Sequence, residues 1–287
     1  MSSRLADSRP SPASSSGPRP AGSRWLRRTL LAAALPALGC ARAATTPSPT
    51  PAPQAAVPAP PTSAAELIAR MHDRYEGKWY RTMTFLQNNT LYRTGGGEDR
   101  SQWMEYMAIP GRLRIEYLPA TSRSGVLYEN GRVHAFNAGK RLQTQTRIHP
   151  LLLMGGDVYA IPPEVTLRRL DSLSVDLAKF RSDTLSGVPV YVVGAAAGDS
   201  TSAQVWVEAD RLVTLRVVER ETRGDRTVVT DSRFAKYQEM DGVLVATERL
   251  IIRDGRPVFK EEYADVKLDV PLDSSLFDPE KWNDAKH

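Results

Sequence analysis

The feature that most constrains the fold is a long succession of short segments in which apolar and polar residues alternate, separated by glycine-marked turns. They form one block between Trp79 and Thr146 and a second between Val188 and Leu268. A period of two is typical of strands with one buried face. Asn130-Gly131, between two such segments, predicts a tight hairpin because both central residues need positive φ. Roughly eleven consecutive strands predict one large, strongly curved antiparallel sheet.

A helix is predicted immediately before the first strand. Ser63-Ala64-Ala65-Glu66 has the pattern of a capping box. The apolar residues that follow at helical spacing are Leu67, Ile68, Met71 and Tyr75, and Gly77 marks the end of the helix. With the sheet, this helix gives the chain an α+β fold class.

A helical insert separates the two blocks of strands, over Ile148–Phe180. It contains the contiguous apolar residues Leu151–Met154 and the helix-starting pair Pro162-Pro163. Apolar residues then follow at intervals of three, three, four and three, which places them on one helix face: Leu167, Leu170, Leu173, Leu177 and Phe180. The piece Leu173–Leu177 also fits a strand, and the pattern leaves this alternative open. An amphipathic insert of this kind predicts a cover over the concave face of the sheet.

The basic character of the chain resides in its first 43 residues. The whole sequence has 38 Lys and Arg against 33 Asp and Glu, and seven arginines but only one acid, Asp7, lie in residues 1–43. The remaining 31 basic and 32 acidic residues give no electrostatic case for binding nucleic acid.

The same N-terminal stretch resembles an export signal. Arg24–Arg28 is positive, and Leu30–Leu38 is apolar but too short to span a bilayer. We expect either a signal peptide over 1–43 or one over 1–39 followed by an acylated Cys40, and either Sec or twin-arginine export. Residues 44–62 are rich in proline and read as an extended linker, so the folded domain is expected over 63–287. Cys40 is the only cysteine, which excludes an internal disulfide.

Motifs that carry chemistry are scarce. The sequence has no nucleophile elbow, zinc-protease motif, paired cysteines or phosphate-binding loop, and its four histidines have no metal-ligand spacing. We therefore expect no catalytic residue, no metal and no cofactor. Glu105, Glu116 and Glu129 lie in different strands, and solvated positions on the sheet are expected for them.

Four local sequences, taken in order, resemble those of the LolA/LolB-type lipoprotein-sorting superfamily. Pro110–Tyr117 is similar to the family's hairpin strand that begins with Pro-Gly, and Tyr128–Gly131 with Val133 and Phe136 is similar to the hairpin after it. Val205–Glu208 resembles a strand with a central Trp, although Glu208 replaces the usual Asp. Asp273–Pro279 resembles the family's C-terminal tail. The resemblance implies a half-open β-barrel whose apolar concave side is covered by helices.

The resemblance also implies a function. Members bind acyl chains of lipoproteins or related amphiphiles in the cell envelope, so a non-enzymatic periplasmic carrier or receptor is expected, working as a monomer and touching the membrane only through an N-terminal lipid. The residues of the insert expected to line the groove or its lid are Leu151, Leu152, Met154, Val158, Leu167 and Leu170. The alternatives are that these residues only fill the core, and that the fold serves as a sensor or scaffold for an envelope protein partner.

Overall fold

The computed structural model describes residues 59–287, which form a 13-stranded antiparallel sheet, not closed, with three α-helices. The predicted leader, Cys40 and most of the predicted linker lie outside the described residues. The helices are α1 Ala64–Tyr75, α2 Pro150–Gly155 and α3 Pro163–Ser172. The strands are β1 Thr82–Tyr92, β2 Glu98–Ala108, β3 Arg112–Tyr117, β4 Gly125–Glu129, β5 Arg132–Asn137, β6 Lys140–Thr146, β7 Phe180–Leu185, β8 Val188–Val193, β9 Gln204–Glu208, β10 Thr214–Arg223, β11 Arg226–Met240, β12 Val243–Arg253 and β13 Arg256–Leu268.

The strand order explains why the insert must cross the sheet. The order is β6-β5-β4-β3-β2-β1-β13-β12-β11-β10-β9-β8-β7, so two meanders join where β1 pairs with β13. Strands β6 and β7 are consecutive in the chain but lie at opposite edges of the sheet. The connection between them, residues 147–179, therefore has to pass over one face. The predicted large antiparallel α+β sheet with a helical cover is confirmed.

Helix α1 has the predicted N-terminus and the predicted buried stripe. The Ser63 hydroxyl accepts a hydrogen bond from the Glu66 amide at 3.2 Å, as an N-cap should. The Glu66 carboxylate reaches back one residue further than in a capping box and accepts from the Thr62 amide at 2.7 Å. The helix buries its apolar face, formed by Leu67, Ile68, Met71 and Tyr75.

The insert differs from the single long helix that its apolar spacing predicts. Helix α3 ends at Ser172, Leu173 and Leu177 lie beyond it in neither helix nor strand, and Phe180 begins β7. Ser174 takes a left-handed conformation with φ of 64°, and the Val175 amide donates to the Leu170 carbonyl at 3.1 Å. This is the bond pattern with which a helix ends, usually at a glycine. Because a serine occupies this position, the sequence pattern did not predict the end of the helix or the strand β7 that follows.

The sheet has a buried cluster on each face. The larger one lies under α1, α2 and α3 on the face where side chains from both meanders converge, which is the concave face. The smaller one, on the convex face, is covered by the C-terminal tail, whose Leu276, Phe277 and Trp282 pack on Leu127 and Phe136. The predicted helical turn in this tail is present as a 3₁₀ turn over Ser274–Phe277.

Candidate functional site

A cavity of about 260 Å³ lies on the concave face between the sheet and the insert. Strands β1 to β4 and β10 to β13 contribute to its walls, and α2 covers it. Because the lining comes from both meanders, the curvature of the sheet creates this partly open space. Much of the lining is aromatic or aliphatic, including Trp79, Phe85, Trp103, Ile115, Tyr117, Val126, Phe234, Leu244 and Tyr263.

Strand alternation and register bring these side chains to the same face. Phe85 pairs with Glu105, Glu105 with Ile115, and Ile115 with Val126, so the four form one row across β1 to β4. Residues two apart along a strand share a face. Trp103 therefore lies beside Glu105 in the next row, where its ring is 5.0 Å from that of Tyr117. Aromatic rings therefore lie on two sides of Glu105, with Phe85 on β1 and the Trp103–Tyr117 pair in the next row.

Helix α2 covers the cavity with two leucines and a histidine. Leu151 and Leu152 are both buried, and both line the cavity. The helix begins at His149, whose Nδ1 accepts a hydrogen bond from the Leu152 amide at 3.1 Å. Burial, together with the positive charges of Arg249 and Arg147, lowers the pKa of His149 to about 3, so the ring is neutral and able to accept. The Thr214 hydroxyl donates to the Met154 carbonyl at 2.8 Å and holds the end of α2 to β10.

One ion pair crosses the polar part of the cavity wall. Arg249 Nη1 lies 2.9 Å from Glu261 Oε1, and the Tyr263 hydroxyl donates to Glu261 Oε2 at 2.9 Å. Arg249 Nη2 donates to the Ser232 hydroxyl at 3.2 Å. Within the described part of the chain, the buried Arg249 Nε has no acceptor. The charge of Arg249 is therefore committed to Glu261, although its hydrogen-bonding capacity is not filled.

Glu105 is the exceptional residue of the site. Its side chain lines the cavity, the residue is only 4% exposed, and it makes no hydrogen bond among the described residues. Burial, with a further contribution from the negative charge of Glu261 and opposed by Arg249, raises the pKa of Glu105 well above its ordinary value. The expectation that Glu105 and Glu116 are solvated is wrong, since both are buried.

A second, open groove of about 830 Å³ lies on the other side of α2. Met154, Leu170, Val175, Val205 and Val217 contribute apolar surface to it. Arg147, which follows edge strand β6, crosses to β10 at this groove, with Nη2 3.5 Å from Glu219 Oε1 and 3.2 Å from Glu221 Oε1. The two sheet halves are therefore bridged by charge at the mouth of the half-barrel.

The six insert residues predicted to line a groove divide into three pairs. Leu151 and Leu152 line the cavity, while Met154 and Leu170 line the open groove. Val158 is fully buried and Leu167 partly buried in the concave-face cluster, and neither lines the cavity or the groove. The sequence did hold a signal for Glu105, because it interrupts the apolar alternation of Trp103 and Met107. Only the register of β2 shows that this alternation faces a cavity.

The described residues contain no candidate for a membrane-spanning helix or for a metal site. No helix there is long and apolar enough to cross a membrane. Nor does any group of three or more His, Cys, Asp and Glu side chains in residues 59–287 have the arrangement of a metal site.

Solved structures give the class of fold. The chain superposes on a putative outer membrane lipoprotein-sorting protein domain from Vibrio parahaemolyticus with a TM-score of 0.51 at 12% identity, over 75% of this chain and 96% of that one. A DUF1329 family protein from Desulfovibrio piger gives 0.50 at 16% identity, over 75% and 95%. A LolA superfamily protein from Nitrosomonas europaea gives 0.49 at 14% identity, over 76% and 98%.

The chain therefore has a LolA-like fold, the one implied by its sequence motifs. At this level of identity the likeness concerns the fold alone. No protein-family model matches the sequence, and no curated protein matches it.

Proposed function

We propose that this protein is a non-enzymatic carrier or receptor in the bacterial cell envelope that binds the acyl chain of a lipoprotein or a similar amphiphile. The observation that carries the proposal is the partly open, mostly apolar cavity between the curved sheet and α2. Burying an acyl chain there would contribute about 0.8 kcal/mol per methylene group. The predicted export signal and the LolA-like fold support a periplasmic location, with membrane attachment through Cys40 if that residue is acylated.

The volume limits what the cavity holds in this conformation. At about 30 Å³ for each water-sized group, 260 Å³ has room for roughly nine such groups. One short chain, or the end of one longer chain, would fill it. A longer ligand needs the open groove as well, and α2 is the element between the two spaces, with Leu152 on the cavity side and Met154 on the groove side. We infer that α2 shifts when a long chain enters.

Binding of a fluorescent acyl probe to delipidated protein tests the proposal. Val126→Trp places a large ring in the cavity from a half-buried position on β4, and is expected to weaken probe binding at least about tenfold through lost space. Leu142→Trp is the matched control, because Leu142 is 66% exposed on β6 and lines none of the cavities. Wild-type protein that takes up no probe, or equal binding by both variants, would contradict the proposal.

A second candidate function is a sensor or scaffold that binds an envelope protein. One observation favours it: β6 lies at an edge of the sheet and all seven of its residues are exposed. Exposed edge strands can pair with a strand from another chain. Proline substitution at Gln143, in the middle of β6, is expected to abolish partner binding without changing uptake of the acyl probe. Unchanged partner binding together with reduced uptake of the acyl probe would favour the carrier function instead.

A further inference from the structure

We propose that the cavity selects an amphiphile that carries a protonated amine next to its apolar chain, and that Glu105 receives this amine. The inference rests on the proposed function, because it specifies the ligand of the same cavity. It starts from a carboxyl group that lines the cavity and makes no hydrogen bond within residues 59–287.

The position of Glu105 in the sheet supports the proposal. Glu105 stands in the row Phe85–Glu105–Ile115–Val126, between apolar neighbours on β1 and β3. A buried carboxyl without a hydrogen bond costs stability. Folded proteins leave such groups unpaired rarely, and a ligand that supplies the missing partner is a physical reason for one. Because Glu105 lines the cavity, a bound molecule can reach it.

The charged residues of the cavity lining also support it. Among the lining residues, Glu105 and Glu261 are acidic, and Arg249 is the basic residue. Arg249 is bonded to Glu261 at 2.9 Å, and His149 is held neutral by its buried position at the start of α2. Glu105 is therefore the carboxyl group of the lining that has no ion pair among the described residues, and a cation beside it would favour its ionised form. An anionic head group would instead repel an ionised Glu105.

Aromatic rings lie beside Glu105. Trp103 precedes it by two residues on the same strand face, and Phe85 is its register partner on β1. The centre of the Trp103 ring lies 5.0 Å from that of Tyr117, which is tilted against it, and 5.5 Å from that of Phe259, which is stacked on it. Aromatic faces attract cations, and cages of such rings with a carboxylate recognise ammonium groups. An alkylammonium ion would place its charge at Glu105 and its chain against the aliphatic lining.

Three ligands of one chain length test this inference: decylamine, decanol and decanoate, each titrated below its micelle concentration with calorimetry. Wild-type protein is expected to bind decylamine at least about tenfold more tightly than decanol, since a hydrogen bond between charged groups is stronger than one to a neutral hydroxyl. Decanoate should bind weakest. Glu105→Gln is expected to remove the preference for the amine while changing decanol affinity by less than about threefold.

The matched control is Glu98→Gln, the same substitution on the same strand at an exposed residue that pairs with Arg100. It should leave the preference intact. Circular dichroism and thermal unfolding of both variants confirm that each is folded. An amine preference that survives in Glu105→Gln, or a wild-type preference for decanol or decanoate, would overturn the inference. If none of the three ligands binds wild-type protein, the proposed function fails as well, and that outcome is distinct from the loss of selectivity alone.

Discussion

Each face of the sheet buries an ionisable side chain, and the two side chains differ in their hydrogen bonds. On the convex face, Arg114 is 2% exposed and each of its three nitrogens donates a hydrogen bond: Nε to Glu116 at 2.6 Å, Nη1 to the Leu276 carbonyl at 3.2 Å and Nη2 to the Trp282 carbonyl at 2.8 Å. On the concave face, Glu105 is as buried and has no hydrogen bond among the described residues. A satisfied buried charge holds two parts of a structure together. An unsatisfied one points to a role other than stability.

The same kind of substitution, from a charged to an apolar side chain, should therefore have opposite signs on the two faces. Arg114→Met is expected to lower the free energy of unfolding by about 4 kcal/mol, since it removes the guanidinium from the buried Glu116, leaves it with the exposed His287, and frees the C-terminal tail. Urea unfolding measures the change. Pairing it with Glu116→Leu should recover part of the loss. A cost below about 1 kcal/mol, the range of exposed ion pairs, would break the comparison.

The second largest effect is expected at His149, and it depends on pH. The pKa of the folded state, about 3, lies below the unfolded value near 6.5, so the contribution to stability is complete above pH 6.5 and is lost as pH falls towards 3. By pH 5 the loss should reach about 2 kcal/mol, at about 1.4 kcal/mol per pH unit. His149→Asn keeps a side chain that can cap α2 but does not titrate. The difference between the two proteins in urea unfolding at pH 7 and pH 5 isolates the histidine.

A smaller effect of the opposite sign is expected at Glu105. Glu105→Leu should raise the free energy of unfolding by about 1 kcal/mol at pH 7, because it replaces an unpartnered carboxyl with an apolar group. The folded pKa is raised, so the folded state binds the proton more tightly, and wild-type stability falls as pH rises above the unfolded value near 4.5. The gain in the variant should grow over that range. Asp157, whose pKa burial raises to about 6, titrates in both proteins and cancels in the difference.

The smallest effect sets the reference. Arg93 Nε donates to Asp99 Oδ2 at 2.6 Å, but both side chains are exposed at the hairpin between β1 and β2. Asp99→Asn should leave the free energy of unfolding unchanged within the error of urea unfolding. A larger change would mean that exposed charges weigh as much as buried ones, and the contrast between Arg114 and Glu105 would lose its meaning.

Much of the fold could be predicted from local patterns, and the site could not. Alternation in β1 to β5, the Asn130-Gly131 turn and the capped stripe of α1 depend on neighbours close in sequence, so the sequence contains them. Ser174 ends α3 through a backbone conformation that serine adopts only rarely, which the residue type does not reveal. Glu105 becomes special only through the pairing of β2 with β1 and β3, combined with a cover that arrives from beyond β6. The site therefore depends on strand register and long-range packing, which local sequence patterns do not show.

Photoaffinity labelling with a ten-carbon amine that bears a diazirine at the end of its chain tests the central claim most directly. We expect saturable labelling of the cavity lining, either in the peptide that contains Leu151 and Leu152 or in the β2 peptide around Trp103. This labelling should be lost in Val126→Trp. Labelling that does not saturate, or that maps to the exposed strand β6 and persists in Val126→Trp, would contradict the claim that the concave cavity is the binding site.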